Sequence, residues 1–297
     1  MPMNSKTTKP RTFHHEALAW RTAVQNNGGT VNATTLRAVS NFCTAINAAG
    51  IRSKFLRLNL VCGHNLAAAR TPLYRGASAT GTQYGSAVDT NVGPFTANDY
   101  SESTGITGDG NTKAFDTTLT LSTLTTAGLD YNNIHASVYT RGSNHGAVFG
   151  GGDQWGYYLY NYGLVLDAGN GGWHGQEAFT GNADNRYVRG TNSASGHKFG
   201  QDNNGTMAYW TNGVNSTGAT NAGSPTSYDV SDSTPIWFSG MWNSYFNEAE
   251  QATIVQPYYA TGPLAAYSVG PPLTSDASIN AFYKAMQAFQ TSLRRQV

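Results

Sequence analysis

The chain has 297 residues, of which 39% are hydrophobic and only 12% charged, with a net charge of +1. A chain of this length can bury a full core without crosslinks, and its 17 Tyr, 12 Phe and 6 Trp argue against whole-chain disorder, which goes with few aromatics. No apolar run reaches the ~18 residues that span a bilayer, so no membrane association is expected.

Taken in chain order, Met1 to Thr12 is polar and basic and reads as a flexible arm, with no apolar stretch of the kind a secretory signal needs. Ala17 to Gln25 is a short helical stretch carrying Leu18, Trp20 and Val24, stopped by Asn26-Asn27-Gly28-Gly29. Asn32 then offers a helix N-cap, and Val31 with Leu36 can form a hydrophobic staple. Leu36, Val39, Cys43 and Ile46 recur at helical spacing, and Gly50 stands where a left-handed residue closes a helix. This predicts one amphipathic helix over 33–49. Phe55 to Val61 is a short apolar segment ended by Cys62-Gly63-His64-Asn65. Thr71 to Gly110 is rich in Gly, Ser, Thr and Asn and reads as a long connection with few regular elements.

From Lys113 the pattern changes to period two, that of a half-buried strand. Phe115, Thr117, Leu119 and Leu121 alternate with polar residues, as do Ile134, Ala136 and Val138 with His135, Ser137 and Tyr139. Further strands are expected at 147–149, 157–160, 164–167, 197–200, 207–210, 235–242 and 264–269. Gly- and Asn-rich turns lie between nearly all of them, and Asn243 to Asn247 reads as one more. Many short strands with such turns predict a mainly β fold, an antiparallel β-sandwich or jelly roll. A last helix follows, with Thr274 as cap, Asp276 in its first turn and Ile279, Phe282, Tyr283, Met286 and Phe289 on one face. Arg294 and Arg295 suit the negative end of its dipole.

Charge divides the chain. Up to Arg75 there are ten basic residues and one acid, Glu16, whereas the remainder is acidic. The expected organisation is a basic arm (1–12), a basic helical module (13–75), a connecting segment (76–112), the sandwich (113–270) and a C-terminal helix packed on the body (271–297). The basic part is expected to dock on the acidic remainder or a neighbouring copy, or to anchor to an acidic surface through Lys6, Lys9 and Arg11. With no recognised motif beside these charges, nucleic acid is not an expected partner.

Three stretches carry a family resemblance: AAGIRSKFLRLNLVCGHNLAAARTPL (Ala48 to Leu73), TGDGNTKAFDTTL (Thr107 to Leu119) and AAYSVGPPLTSDASINAFYKAMQAFQTSL (Ala265 to Leu293). Together they resemble bacteriophage tail and virion proteins whose middle is similar to a concanavalin A-like (laminin-G-like) lectin sandwich. The resemblance implies a virion structural component, a tail appendage or capsid decoration, located in the particle, with other virion subunits as partners and a homo-oligomeric state. It carries no catalytic residues. The alternative expectations are a free-standing carbohydrate-binding module and a glycan-cleaving enzyme.

Catalytic chemistry finds little support. Glycosidases use a pair of carboxylates flanking the scissile bond, but the chain has five Glu, and Glu248 and Glu250 follow the expected turn. No G-x-S-x-G elbow and no phosphate-binding loop occurs. His14-His15-Glu16 lacks the H-E-x-x-H zinc arrangement, and Cys43 and Cys62 fit no metal spacing or disulfide framework and are expected as buried thiols. Asp109-Gly110-Asn111 and Asp202-Asn203-Asn204 are explained by turn chemistry. The expectation is therefore no catalytic site, no metal and no cofactor. Trp155, Tyr157, Trp173 and His174 are the candidate glycan-binding residues, because loop aromatics offer rigid contact area at small entropic cost.

Overall fold

A computed structural model describes residues 12–129, 133–142, 147–155, 161–167, 176–177, 187–190, 195–221, 233–247, 252–255 and 257–297. The anchor candidates Lys6, Lys9 and Arg11 lie outside them.

Helix formation follows the sequence closely at the N-terminal end. Helix α1 spans His15–Asn26 and α2 spans Ala33–Ala48. Asn32 caps α2, its side chain accepting from Thr35 N–H at 2.8 Å. At the other end Gly50 has φ +67°, and Gly50 and Ile51 donate to the carbonyls of Asn47 and Ile46. That pair of bonds satisfies carbonyls the helix itself leaves open. A four-residue helix, α3 (Leu66–Ala69), is capped by Asn65, and α4 (Leu121–Thr126) by Thr120. The last helix, α5, spans Asp276–Ser292. Ser275, one residue later than expected, is its cap.

The described strands form three sheets. The largest, nine-stranded, runs Val214–Asn215, Thr206–Thr211, Gly196–Asn203, Asn133–Thr140, Thr261–Gly270, Arg57–Asn59 and Tyr74–Arg75, with Gly105–Asp109 and Tyr100–Ser101 added beside Thr261–Gly270. The eight-stranded sheet runs Ala252–Val255, Gly240–Asn247, Ala147–Trp155, Pro235–Phe238, Ala114–Thr120 and Thr90–Val92, with Tyr258–Tyr259 and Asn161–Asp167 joined to it. A small sheet joins Gln176–Glu177, Tyr187–Gly190 and Thr217–Asn221. Pairing is antiparallel except between Gly240–Asn247 and Ala147–Trp155, which run parallel.

The result is mostly β and sandwich-like, with one layer beyond the two sheets. Ile134, Ala136 and Val138 meet Phe115, Phe149, Ile236 and Phe238 in a core between the two large sheets. Tyr139 and Phe199 face the other way and pack with Trp20, Phe42, Phe55, Phe282 and Phe289 in a second core beneath α1, α2 and α5. The period-two alternation of 133–140 thus separates two buried faces, and this explains why even His135 and Ser137 are buried. Burying a large apolar side chain contributes about 1.5–3 kcal/mol, so the apolar face of α5 holds this third layer in place. No helix among the described residues is long and apolar enough to cross a membrane.

Several expectations need correction. The nine-stranded sheet begins with Arg57–Asn59, well before residue 113. The segment 76–112 contains short strands, too brief for a readable period, that edge both sheets. Leu121 opens a helix instead of ending a strand. Asn243 to Asn247 continues a strand and is not a turn. Arg295 does not sit at the solvated end of α5 but is buried beneath it.

The helix-facing side of the sheet holds two histidines, fully buried under α5. His135 stacks on Phe199 at 5.2 Å and bonds the Pro271 carbonyl at 2.8 Å, while His197 meets Phe282 edge-on at 4.9 Å. Burial pushes His135 down to about 4 and His197 to about 3, from an ordinary 6.5. The unfolded chain therefore binds more protons below pH 6.5, and stability is lost as pH falls through that window. Each histidine should remove about 1.4 kcal/mol per pH unit between 6.5 and its folded value. Urea midpoints should accordingly fall steeply from pH 7 to pH 5, and His135→Gln should flatten the slope. A midpoint unchanged between those pH values would contradict the assignment.

Candidate functional site

The chemistry-bearing residues gather on the eight-stranded sheet. In the strand Pro235–Phe238, Ile236 and Phe238 enter the inter-sheet core, while Trp237 joins neither apolar core. Sequence alternation treated 235–242 as one strand, which would send Trp237 and Trp242 to opposite faces. The chain breaks at Ser239 instead, with φ +64°. Its N–H donates to the Val148 carbonyl at 2.9 Å and its carbonyl accepts from Ala260 N–H at 3.0 Å. This turn brings the two indoles together, edge to face, with centroids 5.2 Å apart. Tyr258 and Tyr259 pair with Met241 and Gly240, placing the Tyr259 ring 6.0 Å from Trp237.

The cluster is graded in exposure. Trp237 is only 4% exposed, Trp242 and Tyr259 are half-buried, and Tyr258 is 44% exposed. Trp237 Nε1 is buried without a hydrogen-bond partner among the described residues, as is Ser239 Oγ nearby in the chain. An unsatisfied buried donor is uncommon and calls for a ligand, water or strain to explain it. Asp116 stands opposite Trp237 on the neighbouring strand. It is half-buried, its carboxylate accepts from Thr118 N–H at 2.6 Å, and burial pushes its carboxyl upward. On the other side Trp237 faces Gly150. At the next residue, a Cβ added to Gly151 would lie 2.0 Å from the Pro235 carbonyl, so the central strand must stay bare where it meets Pro235–Phe238.

Of the candidates named from sequence, Trp155 ends the strand Ala147–Trp155 in this same sheet. Tyr157, Trp173 and His174 lie outside the described residues. Glu248 and Glu250 also lie outside them. The two glutamates with described side chains are both committed to the frame. Glu16 accepts from Arg52, Asn47 and Tyr74, and Glu102 accepts from Thr35, Gly63 and Asn32. Asp109 is held by its own turn. Burial pushes its carboxyl up, but Thr112 Oγ1 and the N–H groups of Asn111, Thr112 and Lys113 outweigh this and hold it low. Asp202 likewise accepts from Gly205 N–H, three residues on.

No family model and no curated protein matches this sequence. Among solved structures, the chain is similar to domain 4 of an extracellular GH43 arabinanase from Geobacillus stearothermophilus in complex with arabinotriose. The identity is 15%, over 62% of this chain and 93% of that one, with a TM-score of 0.37. It is also similar to a mutant Trypanosoma rangeli sialidase displaying trans-sialidase activity, at 9% identity over 86% of this chain, with a TM-score of 0.42. Trypanosoma rangeli sialidase in complex with sialic acid matches at 7% identity over 84% of this chain, with a TM-score of 0.36. The chain spans 39% and 38% of these two sialidases. No family model or curated protein supports the expectation of a virion structural protein, and none of the structures named above is a virion protein, so that expectation is withdrawn. The alternative expectation, a carbohydrate-binding module, is taken forward on this chain's own residues.

Proposed function

We propose that this chain is a carbohydrate-binding β-sandwich module that holds a glycan without cleaving it. The observation that carries the reading is the cluster of Trp237, Trp242, Tyr258 and Tyr259, graded from buried to exposed, with an unpaired indole N–H and a half-buried carboxylate opposite it. Aromatic rings supply a large apolar contact with a polar handle. A sugar ring offers the complement: a C–H face to stack on the more exposed rings and hydroxyls to donate to Asp116. A few convergent polar groups set among apolar ones fix a ligand's orientation. The two facing sheets support a finer reading of the fold as a concanavalin A-like jelly roll. Among the described side chains, Glu16 and Glu102 are engaged by neighbouring groups, which fits a reading without a glutamate pair at the site.

Affinity electrophoresis in gels containing polysaccharides tests this reading. Wild-type protein is expected to be retarded by at least one polysaccharide, and Trp242→Ala to lose most of that retardation. Truncating a central aromatic contact costs ~2 kcal/mol or more, a roughly thirty-fold weakening. Retardation unchanged in both Trp242→Ala and Tyr258→Ala would remove the cluster as the site.

A further inference from the structure

We propose that His14, Glu16 and Cys43 form a binding site for a divalent transition-metal ion of the zinc class, seated where α1 begins and α2 passes beneath it. One donor atom from each residue lies within 4.8 Å of the other two. Zinc bonds of about 2.0–2.3 Å in a tetrahedron place neighbouring ligands roughly 3.5 Å apart, so the three need to close by about an ångström. A ring nitrogen, a carboxylate oxygen and a cysteine sulfur, which binds as the thiolate and releases its proton to solvent, form the mixed donor set that zinc accepts, whereas calcium and magnesium take oxygen.

The surrounding contacts aim these donors inward. The His14 backbone N–H donates to Ser40 Oγ on α2 at 2.8 Å, which fixes the start of α1 against α2. Its ring Nδ1 accepts from Glu16 N–H at 3.3 Å, a long bond at the helix cap that this nitrogen would exchange for the ion. Glu16 Oε1 is held by Arg52, and Oε2, which accepts from Asn47 Nδ2 at 2.7 Å, lies 3.7 Å from His14 Nδ1 and would turn from Asn47 to the ion. Arg52 would remain the outer partner that orients the carboxylate, a role common around metal ligands. Cys43 is fully buried on α2. Tyr74, also buried, donates its hydroxyl to Glu16 Oε2 at 3.3 Å, and its oxygen or a water can complete the fourth position. Cys43 lies 27 residues beyond Glu16 in the chain, so no short spacing in the sequence reveals the set. The ion would tie α1 to α2 and so stabilise the helical layer.

Titration of the metal-free full chain with Co(II), followed by absorption, tests the proposal, with thermal melting in Zn(II) as the second readout. Wild-type protein is expected to develop a near-ultraviolet thiolate-to-cobalt band saturating at one equivalent, to lose it when Zn(II) is added, and to melt higher in Zn(II). His14→Ala and Cys43→Ala should each weaken binding at least tenfold and remove the Zn(II) shift. If Cys43→Ala fails to fold, His14→Ala, at a partly exposed position, carries the comparison alone. Absence of the band in wild type with no Zn(II) shift overturns the site, and so does a band that survives in folded Cys43→Ala. The site is remote in the fold from the aromatic cluster, so either result leaves the glycan reading to its own test.

Discussion

Replacing Arg295 with methionine is expected to lower stability by about 3 kcal/mol or more, because each buried carbonyl left unbonded costs roughly 1–3 kcal/mol. The guanidinium is fully buried and collects acceptors from four parts of the chain. Nη1 donates to the carbonyls of Val61 (2.9 Å) and Glu102 (3.4 Å), Nη2 to those of Leu60 (2.6 Å) and Ala265 (3.1 Å), and Nε to Gln290 Oε1. It thus ties the end of α5 to the chain after Arg57–Asn59, to the 76–112 segment and to the strand Thr261–Gly270. Burial pulls its proton affinity down, yet an arginine stays protonated in proteins. Lysine should recover less than half of the loss, since one ammonium cannot reproduce a planar fork of five donors. A melting temperature roughly 10 °C lower is expected at a few degrees per kcal/mol. Thermal and urea unfolding of Arg295→Met and Arg295→Lys check this, and wild-type stability in Arg295→Met would contradict it.

Asp89→Ala is expected to be as damaging, at about 3–5 kcal/mol, because it strips a buried arginine of its counter-charge. Arg57 and Asp89 are both fully buried. Asp89 Oδ1 accepts from Arg57 Nε at 3.0 Å and Nη2 at 2.6 Å, Tyr267 hydroxyl donates to the same carboxylate at 2.8 Å, and Asn59 Nδ2 donates to Oδ2 at 2.8 Å. Burial alone would lower the Arg57 pKa, but the Asp89 carboxylate and Tyr267 raise it beyond its ordinary range. This one ion pair links the basic part to an acid of the later chain, and it pins the 76–112 segment to the sheet. The double replacement Arg57→Met with Asp89→Leu should cost less than Asp89→Ala alone, since replacing a whole buried pair by apolar groups is often close to neutral. Equal losses in a double-mutant cycle, with no coupling between the sites, would show that the pair does not act as a unit.

These two arginines mark where sequence reading stops. Helix α2 was legible because the cap at Asn32, the apolar spacing from Leu36 to Ile46 and the stop at Gly50 all point to the same boundaries. The strand 133–140 was legible from its alternation, although the face carrying His135 and Ser137 proved to be buried under helices. Arg57 and Asp89 carry no local sign of a buried pair, because that burial depends on a partner 32 residues away. The aromatic cluster escaped because a regular strand over 235–242 would separate Trp237 from Trp242. One left-handed residue, Ser239, reverses that conclusion, and serine is no strong signal for it. The glycan candidates Trp155, Tyr157, Trp173 and His174 came from composition and Gly-rich context, and only Trp155 falls on a described strand.

The most direct measurement of the central claim is a glycan array on the full chain, run beside a reducing-sugar assay on the glycans it retains. Binding to one glycan class is predicted, lost in Trp242→Ala at unchanged melting temperature, with no reducing ends released over long incubation. Failure of the folded wild-type protein to bind any glycan, or release of reducing sugar by it, would contradict the account.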